Sequence, residues 1–441
     1  MKKTLLCLAA VLLLGAGCTS SFPFFTLAQQ TQVPSPSPTE VTPTPTSTPP
    51  TVPAGWRTYE NVLHGFSFSY PEGAVWNMGG YNLDDTPASF DLGTQVTATS
   101  VQSVPTTELA VRIIPASDPR IKNCFFSESR WPEDANGIVT SHLTLGGRDV
   151  CLAVEQDAGA GNYYSSYAYT IAHGDEYIVL NFVVHSVNCL NYEDPATQCV
   201  AFDEARDTKG FADIVGTLGF TGNAPKTQLD ISLFKETTKE DKTKVREISL
   251  SYPHLDGYSD ATVQAAFNTL VDAKVNATVA QFKTDAGEVS AEELDSALGP
   301  WTLFLDYQVY PAPKGRVSVV LEWSEYTGGA HPNSFYETLV FNLATGKEEK
   351  LADLFVPGVD YLKTLSDLSI AELTRRNDLV DFTDSNWITD GAGPKADNFA
   401  ASYLSDSGLV VIFGPYQVAA YAAGPSEVVI PYSALQGKLV L

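Results

Sequence analysis

A run of proline, serine and threonine at residues 31–53, TQVPSPSPTEVTPTPTSTPPTVP, most constrains how this chain can fold. It carries too few apolar side chains to bury a core, so an extended, polyproline-like stalk is expected. At about 3 Å per residue, such a stalk would reach roughly 70 Å. The segments that can form a core therefore follow it, and residues 18–55 are predicted to be a disordered linker.

The residues before the linker are typical of a secretion signal. Lys2 and Lys3 precede an apolar run at residues 5–14, which is too short to span a bilayer comfortably. The run ends in Gly-Ala-Gly-Cys, as in bacterial lipoprotein signals. We therefore predict a signal peptide at residues 1–17 and a lipid on Cys18, which would anchor the protein outside the cytoplasm on the bacterial cell membrane. Ordinary cleavage farther downstream is the alternative.

The rest of the chain has the composition of globular domains. Its 441 residues suffice for two or three domains, and 44% apolar with 18% charged residues suits proteins with cores. Loss of the two signal lysines would take the formal net charge from -25 to -27. This acidity, without a basic stripe, disfavours nucleic acid and anionic headgroups as partners and would attract a basic protein.

Four cysteines remain once the signal peptide and the lipid site are set aside. All four lie between residues 124 and 199. In an exported chain, disulfides are expected rather than a zinc site, and three pairings are possible. The short polar loop NYEDPATQ favours Cys189 with Cys199, which leaves Cys124 with Cys151. We expect no metal and no cofactor.

The first globular region, residues 56–222, carries aromatic motifs. Residues 65–71, GFSFSYP, alternate as a half-buried strand does, and residues 211–220, FADIVGTLGF, place apolar side chains on one helical face. Together with Tyr59 and Asn61 of a Y-x-N motif, they resemble the PsbP-like domain. The resemblance implies an antiparallel sheet packed by helices, and no reaction. Histidines without a second ligand at metal-binding spacing are expected to be surface or satisfied turn residues; they are His64, His142, His173 and His185.

The second globular region, residues 227–441, begins with two expected strands, 229–234 and 245–252, around a charged turn. A long helix with Ser259 as its N-cap follows, because apolar residues recur at helical spacing after it. Another helix is expected from about residue 360 to 376. The segment from residue 382 to 397 is expected to be a polar loop.

Three motifs of this region resemble the signature of the RsiV/PdaC-type domain pair. They are GGAHPN at residues 328–333, KLADLF at 350–355 and FGPYQVAAYAAG at 413–424. Residues 227–290 resemble the smaller companion domain, and residues 300–441 resemble the main part. Both globular regions are thus expected to be α+β domains, each with an antiparallel sheet packed by a few helices. The resemblance implies a domain without known chemistry.

Candidate partner-binding residues come from two of these motifs. Tyr416 and Tyr421, with Pro415, lie among small residues in a loop that could enter a partner's cleft at low entropic cost. His331 and Asn333 lie in the Gly-rich motif. The alternative is that the tyrosines pack over a sheet edge and that His331 is structural. No GxSxG nucleophile motif is present, so no catalytic residue is assigned.

These observations favour a lipid-anchored, non-enzymatic cell-envelope protein. Its partner would be a cell-wall glycan or a basic wall-associated protein such as lysozyme. Two alternatives stay open. One is an enzyme acting on peptidoglycan, suggested by the abundance of Asp and Glu and by His331. The other is a structural or assembly lipoprotein that uses its PsbP-like half as a docking module.

Overall fold

The computed structural model describes residues 52–78, 86–96, 101–128, 137–221, 229–287, 299–376, 379 and 382–441. The predicted signal peptide, Cys18 and the linker up to residue 51 lie outside these residues. Residues 47–441 form one compact unit. In the part of the chain that is described, no helix combines the length and apolarity needed to cross a bilayer.

Among the described residues, the first half of this unit contains twelve strands and three short helices. The strands are β1 (Trp56–Asn61), β2 (Phe66–Pro71), β3 (Val75–Met78), β4 (Ala88–Gly93), β5 (Thr106–Pro115), β6 (Ile121–Lys122), β7 (Phe125–Phe126), β8 (Val139–Leu145), β9 (Arg148–Gly159), β10 (Asn162–His173), β11 (Glu176–Val187) and β12 (Gly219–Phe220). The helices are α1 (Pro195–Gln198), α2 (Glu204–Asp207) and α3 (Phe211–Gly216), with a 3-10 turn at Cys189–Asn191.

Two antiparallel sheets share the core of the first half. A seven-stranded sheet has the order β3-β4-β5-β11-β10-β9-β8, and a three-stranded sheet has the order β1-β2-β12. Their aromatic residues pack together, for example Tyr70 on Phe90 with ring centroids 4.6 Å apart. Helix α3 covers the larger sheet through Phe211, which stacks on Phe182 at 4.2 Å. The alternating aromatic residues predicted for β2 therefore do bury one face.

The described part of the second half contains nine strands and three helices. The strands are β13 (Phe234–Lys242), β14 (Arg246–Leu255), β15 (Trp301–Ala312), β16 (Arg316–Tyr326), β17 (Asn333–Asn342), β18 (Lys347–Glu349), β19 (Ser402–Leu404), β20 (Gly408–Phe413) and β21 (Ser426–Pro431). The helices are α4 (Ala261–Gly287), α5 (Tyr361–Arg375) and α6 (Ser385–Gly391). Short 3-10 turns occupy Ile231–Leu233, Leu351–Leu354, Ala396–Phe399, Tyr421–Ala423 and Tyr432–Leu435.

A six-stranded sheet runs from β13 to β18 in sequence order, and β19-β20-β21 form a second, three-stranded sheet. The predicted α+β class is confirmed. One strand pair of the larger sheet departs from the antiparallel arrangement, because β14 and β15 pair in parallel. The long helix α4 connects these two strands, which is the crossover that a parallel pair needs.

The charged segment that follows Phe234 is a strand rather than the predicted turn. β13 extends through Lys242 and pairs along its length with β14. It lies at the edge of the sheet, where charged side chains can point to solvent and discourage pairing with another chain. Two of them reach α4: Asp241 Oδ2 lies 2.6 Å from Lys283 Nζ, and Lys239 Nζ lies 3.6 Å from Asp272 Oδ1. The charged residues of this segment therefore belong to an edge strand and not to a turn.

Helix α4 buries one face along its length, as its apolar spacing predicted. Val263, Phe267 and Val271 on this face are among the residues of the sheet's core. Its cap differs from the expectation, because Asp260, and not Ser259, accepts the backbone N–H of Thr262 at 2.9 Å. A carboxylate at this position also interacts favourably with the helix dipole.

The segment expected to be a polar loop, residues 382–397, contains helix α6. Asp384 caps it by accepting the backbone N–H of Trp387 at 2.8 Å. Ile388 is buried, so even this short helix is held by packing. The preceding helix α5 begins after Asp360, which accepts the N–H of Lys363 at 3.1 Å, close to the predicted start.

The two halves meet at a buried polar turn before β20. Asp406 is fully buried, and its carboxylate accepts from Asn61 Nδ2 and from Ser407 Oγ, each at 2.6 Å. The Asp406 carbonyl accepts the backbone N–H of Val62 at 2.9 Å. Burial, followed by the nearby Asp406 carboxylate, raises the pKa of Tyr59, whose hydroxyl lies 3.2 Å from Ser407 Oγ. The halves therefore share an interior and are not two separately tethered bodies.

Candidate functional site: an exposed aromatic cluster

The loop that follows β20 is clamped by helix α6. Gln417 closes its turn, with Oε1 accepting from the Gly414 N–H at 3.1 Å. The Gln417 amide then donates to the carbonyls of Gly391 and Asn398, both at 3.0 Å. A Cβ at Gly391 would lie 1.8 Å from the Gln417 carbonyl oxygen. The approach of the two backbones therefore requires glycine at the end of α6.

This clamp holds Tyr416 in a conformation that a bulky residue rarely adopts. Its φ is 68°, in the left-handed region, where non-glycine residues carry strain on the order of 1–3 kcal/mol. Its carbonyl accepts the indole N–H of Trp387 at 2.9 Å. The side chain nevertheless remains 54% exposed. In this conformation the Tyr416 ring points to solvent and does not fill a core.

Three aromatic residues lie around this ring, and we name the four together the aromatic cluster: His331, Trp387, Tyr416 and Tyr421. His331 stacks on Tyr421 with ring centroids 3.7 Å apart and planes 19° apart. Tyr416 lies 5.5 Å from Tyr421. The Tyr421 hydroxyl donates to the Pro332 carbonyl at 2.9 Å, which fastens the Gly-rich loop to the loop after β20.

Both ring nitrogens of His331 are engaged inside the cluster. Nδ1 lies 2.9 Å from the Pro332 carbonyl, and because a carbonyl only accepts, Nδ1 must carry a proton. Nε2 lies 3.3 Å from the Tyr416 hydroxyl, which donates to it when the ring is neutral. Among the described residues no Ser or Cys hydrogen bonds to His331. The ring therefore orients Tyr416.

The structure brings most of the predicted site residues together. His331, Tyr416 and Tyr421 touch one another, and Pro415 immediately precedes Tyr416 in the same loop. Asn333 is exposed at the start of β17, where it pairs with Glu325. The aromatic cluster is therefore formed by two loops that are 85 residues apart in sequence.

Trp387 is the member of the cluster that sequence reasoning missed. It lies in the segment expected to be a loop. The signal that could have identified it is Asp384 three residues earlier, because an Asp at an N-cap accepts the backbone N–H of the third helical residue.

The predicted disulfides are both present. Cys124 pairs with Cys151, with Cα atoms 6.0 Å apart, and Cys189 pairs with Cys199, with Cα atoms 5.4 Å apart. Such bonds persist in oxidising compartments, so the protein is extracytoplasmic. His142 Nδ1 lies 3.7 Å from Cys151 Sγ, and these two residues with Cys124 form the one group of possible metal ligands found among the described residues. Both sulfurs of that group are already joined to each other.

The other histidines of the first half have local partners. His64 is buried, and its Nδ1 lies 2.9 Å from the carboxylate of Glu176. His173 Nε2 lies 2.8 Å from the His64 carbonyl, and its ring stacks on Phe220. His185 Nε2 lies 2.9 Å from the side-chain oxygen of Asn162. These contacts tie turns to strands.

Two family models match the second half. Residues 239–334 match the deacetylase PdaC family, and residues 352–433 match the family described as a protein of unknown function, DUF3298. His331 lies in the first matched segment, whereas Tyr416 and Tyr421 lie in the second. The aromatic cluster therefore forms where the two matched domains meet.

Two curated relatives share part of the chain. It is 27% identical over 161 residues to the peptidoglycan-N-acetylmuramic acid deacetylase PdaC of Bacillus subtilis, covering 36% of this chain and 33% of the relative. It is 30% identical over 124 residues to an esterase of Mycobacterium tuberculosis, covering 28% of this chain and 52% of that relative. The chain thus spans about a third of the first relative and about half of the second.

Solved structures match over larger shares of their own chains. A DUF3298-family protein of Bacteroides fragilis is 19% identical with a TM-score of 0.37, covering 47% of this chain and 93% of that one. PsbP of Synechocystis sp. PCC 6803 is 11% identical with a TM-score of 0.23, covering 40% and 97%. The resemblance predicted for the second half is confirmed by the family models: it contains a PdaC-type domain followed by a DUF3298 domain.

Proposed function

We propose that this protein is a lipid-anchored, non-enzymatic receptor of the cell envelope whose aromatic cluster binds a basic wall-associated protein such as lysozyme. The observation that carries the proposal is Tyr416, a strained and exposed tyrosine held rigidly by Gln417 and Trp387. Backbone strain is retained where function requires it. A tyrosine fixed before binding loses little entropy on contact and is a frequent interface hot spot.

Charge supports a basic protein as the first partner to test. The chain has 52 acidic and 27 basic residues. A net negative surface accelerates the approach of a cationic protein and makes binding sensitive to salt. A neutral wall glycan, the second partner considered for this surface, would stack on the same rings, but its binding would be nearly independent of salt.

The envelope location rests on two supports. One is the pair of disulfides, and the other is the deacetylase relative, whose name assigns it a peptidoglycan substrate. The lipid anchor rests on the signal-like N-terminus alone. Cys18→Ala is expected to release the protein from the membrane fraction, and unchanged membrane association would contradict lipidation.

Calorimetric titration with lysozyme at low and at physiological salt tests the proposed partner. We expect binding at low salt that weakens as salt rises. Tyr416→Ala should reduce the affinity at least tenfold, which corresponds to about 1.4 kcal/mol. Tyr163→Ala is the matched control, because Tyr163 is also exposed, at 45%, but lies in the first half. Absence of binding at low salt would exclude lysozyme, and equal losses in both variants would exclude the aromatic cluster.

An enzyme is the second candidate, and the names of the two curated relatives favour it. Against it, His331 has both nitrogens occupied and lacks a nucleophile in the described residues. Incubation of the purified protein with muropeptides and with a neutral ester, followed by mass analysis, separates the two functions. Turnover that is lost in His331→Ala, with folding retained, would favour the enzyme and contradict a purely binding role.

A further inference from the structure

A cleft of about 650 Å³ lies in the first half, far in sequence from the aromatic cluster. We name it the Tyr163 cleft. Its lining includes Gln156, Tyr163, Ser165, Ser186, Leu190 and Phe202. The volume falls in the range of small-molecule binding sites, roughly 300–1,000 Å³.

Strand register shows which side chains form the floor. Ser165 pairs with Gln156 of β9 and with Val184 of β11. Two residues earlier in β10, and hence on the same face, Tyr163 pairs with Ser186. Val184 belongs to the apolar core that α3 helps to cover. The cleft therefore opens where the core face of the sheet continues beyond its apolar cover and its side chains become polar.

Two serines of this floor are buried as residues, but their hydroxyls open to the cleft. Ser165 is 5% exposed and Ser186 is 3% exposed. Neither side chain makes a hydrogen bond to any residue that the structure describes, yet both line the cleft. Neither oxygen is among the described polar atoms that are both buried from solvent and unpartnered, so a polar ligand in the cleft can reach both hydroxyls and form hydrogen bonds with them.

The wall opposite the floor is apolar and rigid. Leu190 is 83% exposed, an unusual position for a leucine, and Phe202 stands beyond the Cys189–Cys199 disulfide. Asn188 ties this wall to the β9–β10 turn, since its backbone N–H donates to the Gly161 carbonyl at 2.8 Å. A preformed cleft of this kind binds without a large ordering cost.

The chemistry of the lining restricts the ligand. Its residues include no Lys, Arg or His, and Asp157 is the one carboxylate among them, so phosphates and other anions are disfavoured. Serine hydroxyls and the Gln156 amide suit ligand hydroxyl and amide groups, whereas the Tyr163 ring and Leu190 suit apolar faces and methyl groups. We propose that the Tyr163 cleft binds a neutral, N-acetylated oligosaccharide.

This site is independent of the proposed lysozyme contact, because it lies on other strands and its ligand is different. A chitin trimer, which carries N-acetyl groups without charge, is a suitable probe for calorimetry. Cellotriose, which has the same linkage without the N-acetyl groups, is its matched comparison. We expect the chitin trimer to bind and cellotriose to bind more weakly.

Two variants test the floor. Tyr163→Ala should reduce affinity for the chitin trimer about tenfold or more. The double variant Ser165→Ala/Ser186→Ala should also reduce affinity, while its Tm stays equal or rises, because the change breaks no hydrogen bond between these hydroxyls and a residue that the structure describes. A lower affinity with an equal or higher Tm is a result that a merely structural role of these serines would not give.

Tyr416→Gly separates this proposal from the proposed function. It should leave binding of the chitin trimer unchanged. Absence of chitin-trimer binding to the wild type would overturn the cleft proposal and leave the lysozyme contact untouched. Loss of binding in Tyr416→Gly but not in Tyr163→Ala would also overturn it and would assign the glycan to the aromatic cluster. Binding of a fatty acid to the cleft in place of the sugar would show that its apolar wall, and not its floor, selects the ligand.

Discussion

The segments before and after strand β20 both carry side chains with hydrogen-bonding groups, but the first segment is buried and the second is exposed. Before it, Asp406 and Ser407 contact Tyr59 and Asn61 in a turn that is fully buried between the halves. After it, Tyr416 leads an aromatic cluster that stays open to solvent. At the first end, polar groups satisfy one another and join two domains. At the second end, Tyr416 has a strained backbone conformation and its ring is exposed to solvent. Burial makes the first group structural, whereas exposure leaves the second available to the proposed partner.

The largest expected effect lies at the buried end. Asp406→Ala would remove the 2.6 Å acceptor of the Asn61 amide and the Ser407 hydroxyl and leave them their longer contacts with the Tyr59 hydroxyl, so the free energy of unfolding should fall by about 3 kcal/mol. Chemical denaturation measures this loss. Asp406→Asn, which keeps one acceptor oxygen, is the control and should lose less. Equal stability of wild type and Asp406→Ala would remove the contrast between the two ends of β20.

Tyr416→Gly should show the reverse behaviour. Glycine accepts a φ of 68° without strain, so stability should stay within about 1 kcal/mol of the wild type. Lysozyme affinity should fall by about 2 kcal/mol in free energy, because the hot-spot ring is gone. Parallel denaturation and calorimetry check both values. A stability loss as large as that of Asp406→Ala would mean that Tyr416 is structural.

Gly391→Ala tests the clamp beneath the aromatic cluster. Its added Cβ would meet the Gln417 carbonyl at 1.8 Å, so α6 and the loop must separate. We expect a stability loss of about 1–2 kcal/mol together with weaker lysozyme binding, because Tyr416 would no longer be held. Gly73→Ala is the control, since a Cβ there meets nothing within 4 Å. Unchanged binding despite a displaced loop would show that preorganisation is unimportant.

The smallest expected effect concerns the Glu372 carboxylate, whose contribution to the free energy of unfolding depends on pH. Burial would raise the pKa of Glu372, but hydrogen bonds from Arg375 and the charge of Arg57 outweigh it and hold the pKa below its ordinary value of 4.5. A lowered pKa in the folded state stabilises the fold above the unfolded pKa. That contribution is lost as pH falls through the folded-state pKa. Denaturation between neutral and acidic pH should show this loss, and Glu372→Gln should flatten it. An identical pH profile in the two proteins would contradict the assignment.

Much of the fold could be predicted because local chemistry and tertiary packing agree. Asp360 begins α5 as a capping residue should, and the loop between Cys189 and Cys199 is short enough to be closed by their disulfide. Strand β13 could not be predicted in this way. Its charged residues are typical of a turn, but an edge strand also tolerates charge on its exposed side chains. The parallel pairing of β14 with β15 depends on where α4 returns the chain, which local patterns do not encode.

The candidate site was predictable in part for the same reason. Tyr416 and Tyr421 could be singled out because two tyrosines among small residues in a loop can enter a partner's cleft at low entropic cost. Their contact with His331 depends on the fold and joins two loops far apart in sequence. The strain at Tyr416 could not be predicted either, because it arises from the approach of Gly391 to Gln417. Ser165 and Ser186 became informative only once their position in the cleft was known.

The most direct test of a binding role is one calorimetric series with lysozyme at low salt, using wild type, Tyr416→Gly and Asp406→Asn under conditions where all three are folded. We expect wild type and Asp406→Asn to bind lysozyme with equal affinity and Tyr416→Gly to bind it at least tenfold more weakly. Equal affinities of Tyr416→Gly and wild type, or no heat from any of the three, would contradict it.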